Sequence, residues 1–297
     1  MSDSRVIIHV GWPKTATTSM QAELAGYPNL AGKPFGHDET ARAVPTIDDI
    51  VRSPNWRPDD LNMLIESARR DRNLPVLLSD EVLIAMPQRE WFENLVGPFE
   101  VANRLAAAKG AKSVFFTLRD PRRQLRSTWL HHLREGRTQT YPQFLDRVTR
   151  DRLEPRGTFA IAALVERYAD LFGVVNLAVG FTEDYTKSPI DFWRRFGDAF
   201  SIEQMDTYVD CTGPRLNETV LGPVAYELVV NRVIRTYGRM RKVDDIRPMR
   251  RWMTRKVSRR IPANNGGFFA RHATHEDELV SALQDDITRV RGLIKLI

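Results

Sequence analysis

Four short apolar runs constrain this chain most: Val6 to Val10, Leu74 to Leu78, Ser113 to Leu118 and Val174 to Val179. Apolar runs of this length, bounded by turn or helix signals, fit parallel strands buried on both faces. Helical patterns lie between them, from Thr17 to Leu24, Pro58 to Arg70, Pro121 to Arg134, Pro142 to Arg150 and Ala160 to Phe172. Strands alternating with helices predict a three-layer α/β/α arrangement around a mostly parallel sheet. Beyond about residue 187 the pattern turns helical, with Pro189 to Phe200, Pro223 to Tyr237 and Glu276 to Leu296. No linker marks a second core. The expectation is one domain over 1–297, with residues 188–297 forming a helical, basic cover.

Several function classes drop out early. The single cysteine, Cys211, rules out a disulfide within the chain and argues against a thiolate metal site. No apolar run approaches the roughly 20 residues that span a bilayer. Met1-Ser2-Asp3-Ser4 passes straight into a strand-like segment, without a basic and then apolar leader. These features predict a cytoplasmic location. The net charge of +6 suits nucleic acid, anionic surfaces, acidic glycans or phosphorylated ligands, and does not choose among them.

The most informative segment follows the first run. Gly11-Trp12-Pro13-Lys14-Thr15-Ala16-Thr17-Thr18-Ser19 reads as strand end, turn and helix start. Backbone N–H groups at a helix start, and the helix dipole, attract an anion. Lys14 adds a full positive charge there. Thr15, Thr17, Thr18 and Ser19 add hydroxyl donors. A Walker A loop would place its lysine after a longer glycine loop and before Ser or Thr. Nor does any strand end in the acidic pattern that holds magnesium in nucleotide hydrolases.

A second strand–turn–helix segment runs from Ser113 to Ser127. Asp120 is a natural N-cap and Pro121 fits the first helical position. Arg119 stands at the strand's end, where α/β folds bind ligands. A guanidinium offers a planar fork of donors suited to phosphate.

Together these segments resemble the sulfotransferase family. The family's 5′-phosphosulfate signature, Pro-Lys-Ser/Thr-Gly-Thr-Thr after a strand, stands here as Pro13-Lys14-Thr15-Ala16-Thr17-Thr18. Ala16 replaces the usual glycine. Arg119 and Ser127 reproduce the eight-residue spacing of the family's 3′-phosphate pair. Phe181-Thr182-Glu183-Asp184-Tyr185 is similar to its Tyr-Glu-Asp-Leu element, read here as structural, with acids favoured at a helix start. The resemblance covers roughly residues 5 to 200, in pieces. Asn265-Gly266-Gly267-Phe268 matches the family's glycine-containing cofactor loop only without its lysine.

The resemblance implies a P-loop-like fold. It implies a sulfo group moved from 3′-phosphoadenylyl sulfate to an acceptor hydroxyl, with adenosine 3′,5′-bisphosphate as product and no metal. Lys14, Thr15, Ala16, Thr17, Thr18 and Ser19 would hold the phosphosulfate, and Arg119 and Ser127 the 3′-phosphate. Lys14 would also stabilise charge on the leaving oxygen. Carbohydrate-type members carry a catalytic glutamate after the second strand, which points to Glu81 as general base and to a carbohydrate or glycoconjugate acceptor. Asp80 is the runner-up, and both acids also fit plain helix caps. His9 is a further base candidate, although its place inside a strand suits a buried structural role. His131 and His132 end the helix that carries Ser127. His272 and His275 have spacing for a metal but no carboxylate partner in the pattern.

Between Arg232 and Arg260 twelve Lys or Arg residues face two acids, Asp244 and Asp245. Met249, Trp252, Met253 and Val257 share a helical face there, a basic amphipathic pattern. It fits a solvated face packed on the domain, or a surface for an acidic glycan, a lipid-linked acceptor or a membrane. Nucleic acid is not expected, since no zinc spacing or aromatic RNA motif is present. Two other functions stay open: a nucleotide-dependent small-molecule kinase, and a non-catalytic polyanion binder on the same fold.

Overall fold

The computed structural model describes residues 5–12, 15, 17–25, 27, 30, 47–69, 74–80, 83, 96–110, 112–134, 137–154, 157–205, 230–233, 236 and 269–297. They gather into two compact units. The first draws on Met1–Asp120, Asp151–Asn217 and Leu283–Ile297, the second on Pro121–Arg150 and Glu218–Ala282.

The first unit holds a five-stranded sheet of β1 (Val6–Gly11), β2 (Val76–Asp80), β3 (Lys112–Leu118), β4 (Leu177–Phe181) and β5 (Lys295–Leu296). All pairings are parallel, in the order β2-β1-β3-β4-β5. The described helices are α1 (Thr17–Ala25), α2 (Ile47–Val51), α3 (Pro58–Ala68), α4 (Pro98–Ala107), α5 (Pro121–Arg134), α6 (Tyr141–Leu153), α7 (Ile161–Phe172), α8 (Thr182–Lys187), α9 (Pro189–Phe200) and α10 (Ala273–Leu293). Helices α6 and α10 contribute residues to both units.

Every residue of β1 is buried, as a strand covered on both faces requires. One sheet face presents Ile7, Leu77, Phe115 and Ala178 to Met20 and Leu24 of α1 and to Phe192, Trp193, Phe196 and Phe200 of α9. The other face turns Phe116 toward Tyr168 of α7, with ring centroids 5.1 Å apart. The first unit is thus α/β/α in layers. Burying each large side chain here contributes about 1.5–3 kcal/mol relative to exposing it.

Local signals explain the helices that cover the sheet. Pro189 opens α9, and Asp191 in its first turn accepts a hydrogen bond from Ser188 Oγ at 2.7 Å. Ser201 ends it in the left-handed region, at φ 53°, with its N–H on the Gly197 carbonyl. Helix α1 is tied down through Glu23, whose carboxylate accepts Tyr185 Oη–H and Trp193 Nε1–H, each at 2.6 Å.

Several segments differ from the pattern in the sequence. Val174–Asn176 form a 3-10 turn, and the strand begins at Leu177, because Gly173 at φ 79° ends α7 and turns the chain. Helix α10 stops at Leu293 instead of continuing to Leu296. Lys295 and Leu296 pair with β4, and Ile297 N–H bonds the Val179 carbonyl at 3.0 Å. Leaving the helix lets Ile294 and Ile297 bury their side chains. Helices α2 and α4 carry no expectation from the sequence. Pro98 at the start of α4 and the Glu100–Arg104 pair at 3.0 Å are signals that mark it.

The second unit packs Trp129, Tyr141, Phe144 and Phe269 as an aromatic cluster. Asn231 Nδ2 donates to the Leu133 and Arg137 carbonyls, both at 2.8 Å. Of the helix expected from Pro223 to Tyr237, residues 230–233 and 236 are described, and they are helical.

Candidate functional site

In a sheet of this order, β2 lies on one side of β1 and β3 on the other. Chain connections leave in opposite directions at that point, and such switch points form a crevice at the carboxyl ends of the strands. Gly11 ends β1 opposite Thr117 of β3, and Trp12 N–H reaches the Thr117 carbonyl at 3.4 Å. Two segments with anion-binding chemistry therefore leave the sheet side by side.

The segment after β1 is anchored before and after Lys14. Trp12 is buried and its indole N–H donates to the Thr158 carbonyl at 3.0 Å. Thr15 N–H and Thr15 Oγ1–H both donate to the Trp12 carbonyl, at 3.2 and 2.7 Å. Thr15 Oγ1 also lies 2.9 Å from Thr117 Oγ1. Helix α1 begins at Thr17. Its first N–H groups, as in any α-helix, lack partners within the helix.

The segment after β3 is braced from α8. Thr182 Oγ1 donates to the Leu118 carbonyl at 3.0 Å, and Glu183 accepts the Asp120 N–H at 3.1 Å. Half-buried Arg119 lies between these two anchored residues. The sequence marks Glu183 as an acid at a helix start. Its hold on the residue after Arg119 appears only in the fold.

The remaining candidates are placed as follows. Lys14, Ala16 and Glu81 lie outside the described residues, as do the side chains of Thr17, Thr18 and Asp80. Thr17 and Thr18 open α1, and Asp80 ends β2 opposite Val10. Ser19 is half-buried in the first turns of α1. The Thr15 hydroxyl is fully buried and holds the turn. The stretch Arg247 to Arg260 and Asn265-Gly266-Gly267-Phe268 also lie outside the described residues.

His9 is buried within β1, between Ser79 Oγ at 2.7 Å from Nδ1 and Thr117 Oγ1 at 3.2 Å from Nε2. It stacks on Phe115 with ring centroids 4.9 Å apart. Burial lowers its pKa to about 3, so the ring is neutral at physiological pH.

In the second unit, Ser127 is half-buried on α5. His131 is half-buried as well. His132 is buried against Phe144, and burial, then the Arg137 charge, lowers its pKa to about 4. His275 Nε2 lies 3.6 Å from Asp146 Oδ1. Fully buried Glu276 receives Arg126 at 2.6 Å on each carboxylate oxygen and Tyr141 Oη–H at 2.7 Å. This cluster joins α10 to α5 and α6. No group of three or more His, Cys, Asp or Glu residues with metal-binding geometry occurs among the described residues.

Three solved structures that align with part of this chain are described as sulfotransferases. One from Alicyclobacillus acidocaldarius aligns with a TM-score of 0.49 and 17% identity over 72% of this chain and 85% of that chain. The sulfotransferase domain from the curacin biosynthetic pathway aligns at 0.44 and 13% identity over 73% and 81%. Mouse sulfotransferase SULT7A1, solved with PAP, aligns at 0.39 and 14% identity over 70% and 63%. No protein-family model and no curated protein matches the sequence. No helix among the described residues is long and apolar enough to cross a membrane.

Proposed function

We propose that this protein transfers a sulfo group from 3′-phosphoadenylyl sulfate to an acceptor hydroxyl on a carbohydrate or glycoconjugate. One observation carries the reading. The β1/β3 register, with Gly11 opposite Thr117, sets the ends of β1 and β3 side by side, so the segments that follow them start from one switch point. The donor has two anionic ends, and each of these segments offers chemistry for one of them.

The residues present fit such a ligand. The described groups around the β1 and β3 exits are a helix start, a half-buried guanidinium and anchored turns. A helix start and a guanidinium both favour phosphate oxygens. When bound, the donor supplies an activated sulfo group whose leaving group is adenosine 3′,5′-bisphosphate.

In this reading the helix start of α1, with Thr17, Thr18 and Ser19, orients the phosphosulfate. Lys14 stabilises the negative charge that develops on the leaving oxygen. The family resemblance assigns the 3′-phosphate to Arg119 and Ser127. Glu81 takes the proton from the attacking hydroxyl, which sharpens the oxygen as a nucleophile. The basic stretch from Arg232 to Arg260 attracts an acidic acceptor or an anionic surface.

Calorimetry with adenosine 3′,5′-bisphosphate, against ATP with magnesium, tests the reading on the wild type and on Arg119→Ala. Binding of the bisphosphate alone, weakened by the substitution, supports it. A preference for ATP with magnesium moves the assignment to a kinase. Binding of neither ligand removes the sulfotransferase reading.

A further inference from the structure

A single line of hydrogen bonds crosses three strands beneath the proposed donor site. Gln21 Nε2 of α1 donates to Ser79 Oγ of β2 at 2.9 Å. Ser79 Oγ lies 2.7 Å from His9 Nδ1 in β1. His9 Nε2 lies 3.2 Å from Thr117 Oγ1 in β3. Thr117 Oγ1 lies 2.9 Å from Thr15 Oγ1, which donates to the Trp12 carbonyl at 2.7 Å. Gln21, Ser79, His9, Thr117 and Thr15 are all buried, so no water competes for their hydrogen bonds.

The proton inventory gives this line a direction. A carbonyl oxygen only accepts, so the one hydroxyl proton of Thr15 goes to Trp12. Thr15 Oγ1 must then accept from Thr117, which uses the proton of Thr117. Thr117 Oγ1 in turn accepts, and its donor is His9 Nε2–H. The other ring nitrogen is left as an acceptor for the Ser79 hydroxyl, while Ser79 accepts from Gln21. Each hydrogen bond in the line then points the same way, which requires a proton on Nε2 and leaves Nδ1 of a neutral ring to accept from Ser79.

We infer that His9, as the neutral Nε2–H tautomer, is a positioning residue for the turn after β1, acting through Thr117 and Thr15 on the Trp12 carbonyl. This rests on the proposed function, in which Lys14, between Trp12 and Thr15, stabilises the leaving oxygen and the start of α1 orients the phosphosulfate. The buried, lowered pKa of the ring agrees with it. A ring that gained a proton on Nδ1 would meet the Ser79 hydroxyl proton head-on, and Ser79 would have to turn away. The ordinary reading of a buried polar residue in a strand is satisfied packing. The direction of this line adds that its last acceptor lies in the turn and not in the sheet.

Three measurements test it. Nitrogen-15 spectra of the His9 ring should show a proton on Nε2 and none on Nδ1 at neutral pH. The opposite tautomer, or a charged ring, overturns the inference. Backbone amide exchange at Thr15 should accelerate about tenfold or more in Thr117→Val, which cuts the line at its centre, and return to the wild-type rate in Thr117→Ser. Unchanged exchange in a folded Thr117→Val protein overturns it. If the valine variant does not fold, His9→Gln serves instead: its amide can accept from Ser79 and donate to Thr117, so it should keep Thr15 protected where His9→Phe does not. Affinity for adenosine 3′,5′-bisphosphate should fall about tenfold in Thr117→Val and recover in Thr117→Ser. Equal affinity in both variants overturns the positioning role. If the wild type itself fails to bind the bisphosphate, the proposed function falls, and the tautomer and exchange results still decide whether His9 holds the turn.

Discussion

The carboxylate of Glu183 accepts the backbone N–H of Asp120 at 3.1 Å, which fixes the chain immediately beyond Arg119. The two residues lie 63 positions apart and meet because β3 and β4 are neighbours. A hydrogen bond to a charged acceptor contributes about 1.5–3 kcal/mol. Glu183→Ala should therefore lower stability by about 1–2 kcal/mol, after relaxation, and weaken bisphosphate binding several-fold. Glu183→Gln keeps an acceptor oxygen and should retain most of both. Urea denaturation and calorimetry on the two variants check this.

Arg119→Ala should lower affinity for adenosine 3′,5′-bisphosphate by about 10–100-fold, the loss expected for one charge-assisted contact. Lys14→Ala should act on turnover instead, by about 10²–10³-fold, because it removes stabilisation of charge that appears only in the transition state. Steady-state rates beside binding constants separate the two effects. An Arg119 variant that lost turnover but kept its affinity would reverse the assignment.

Acid should destabilise the first unit through His9. Its pKa is about 3 in the fold, against an ordinary value of 6.5. Between these values the unfolded chain binds a proton that the folded chain refuses. Stability therefore falls as pH drops from 6.5 toward 3, at up to about 1.4 kcal/mol per pH unit. His9→Gln carries no titrating group and should show a shallower decline. Urea midpoints for wild type and variant at about pH 7 and about pH 5 give the difference directly.

Glu276 should matter to stability rather than chemistry. Its buried carboxylate takes both Arg126 bonds and the Tyr141 hydroxyl. Glu276→Ala leaves the partly exposed Arg122 and Arg126 guanidiniums and the Tyr141 phenol without this acceptor, a change that costs about 1–3 kcal/mol. Thermal unfolding of that variant, with an unchanged bisphosphate constant at low temperature, is the expected pair of results.

Gly180→Ala should also destabilise, by about 1–3 kcal/mol. A Cβ at this position would stand 2.7 Å from the Phe192 ring and 3.1 Å from Ile297. Phe192→Leu should recover part of the loss by making room, which a double-mutant cycle reads out.

The apolar runs and helix-start signals made the first four strands and α1, α3, α5, α7 and α9 legible from residue order alone. Parallel strands buried on both faces are mostly apolar, and Pro marks the starts of α3, α5 and α9. Arg119 follows the end of β3, where the pattern puts it, while Lys14 lies outside the described residues. The fifth strand was not legible, because Lys295 and Leu296 become a strand only when β4 offers an edge and a pocket for Ile297. Nor were the partners of His9 and Glu183, or the Thr117 partner of Thr15, which come from residues 63 to 108 positions away. Local pattern fixes which segments become strands and helices because those preferences act over a few residues. The order of strands in the sheet decides which polar groups meet, and burial then leaves them only one another to bond.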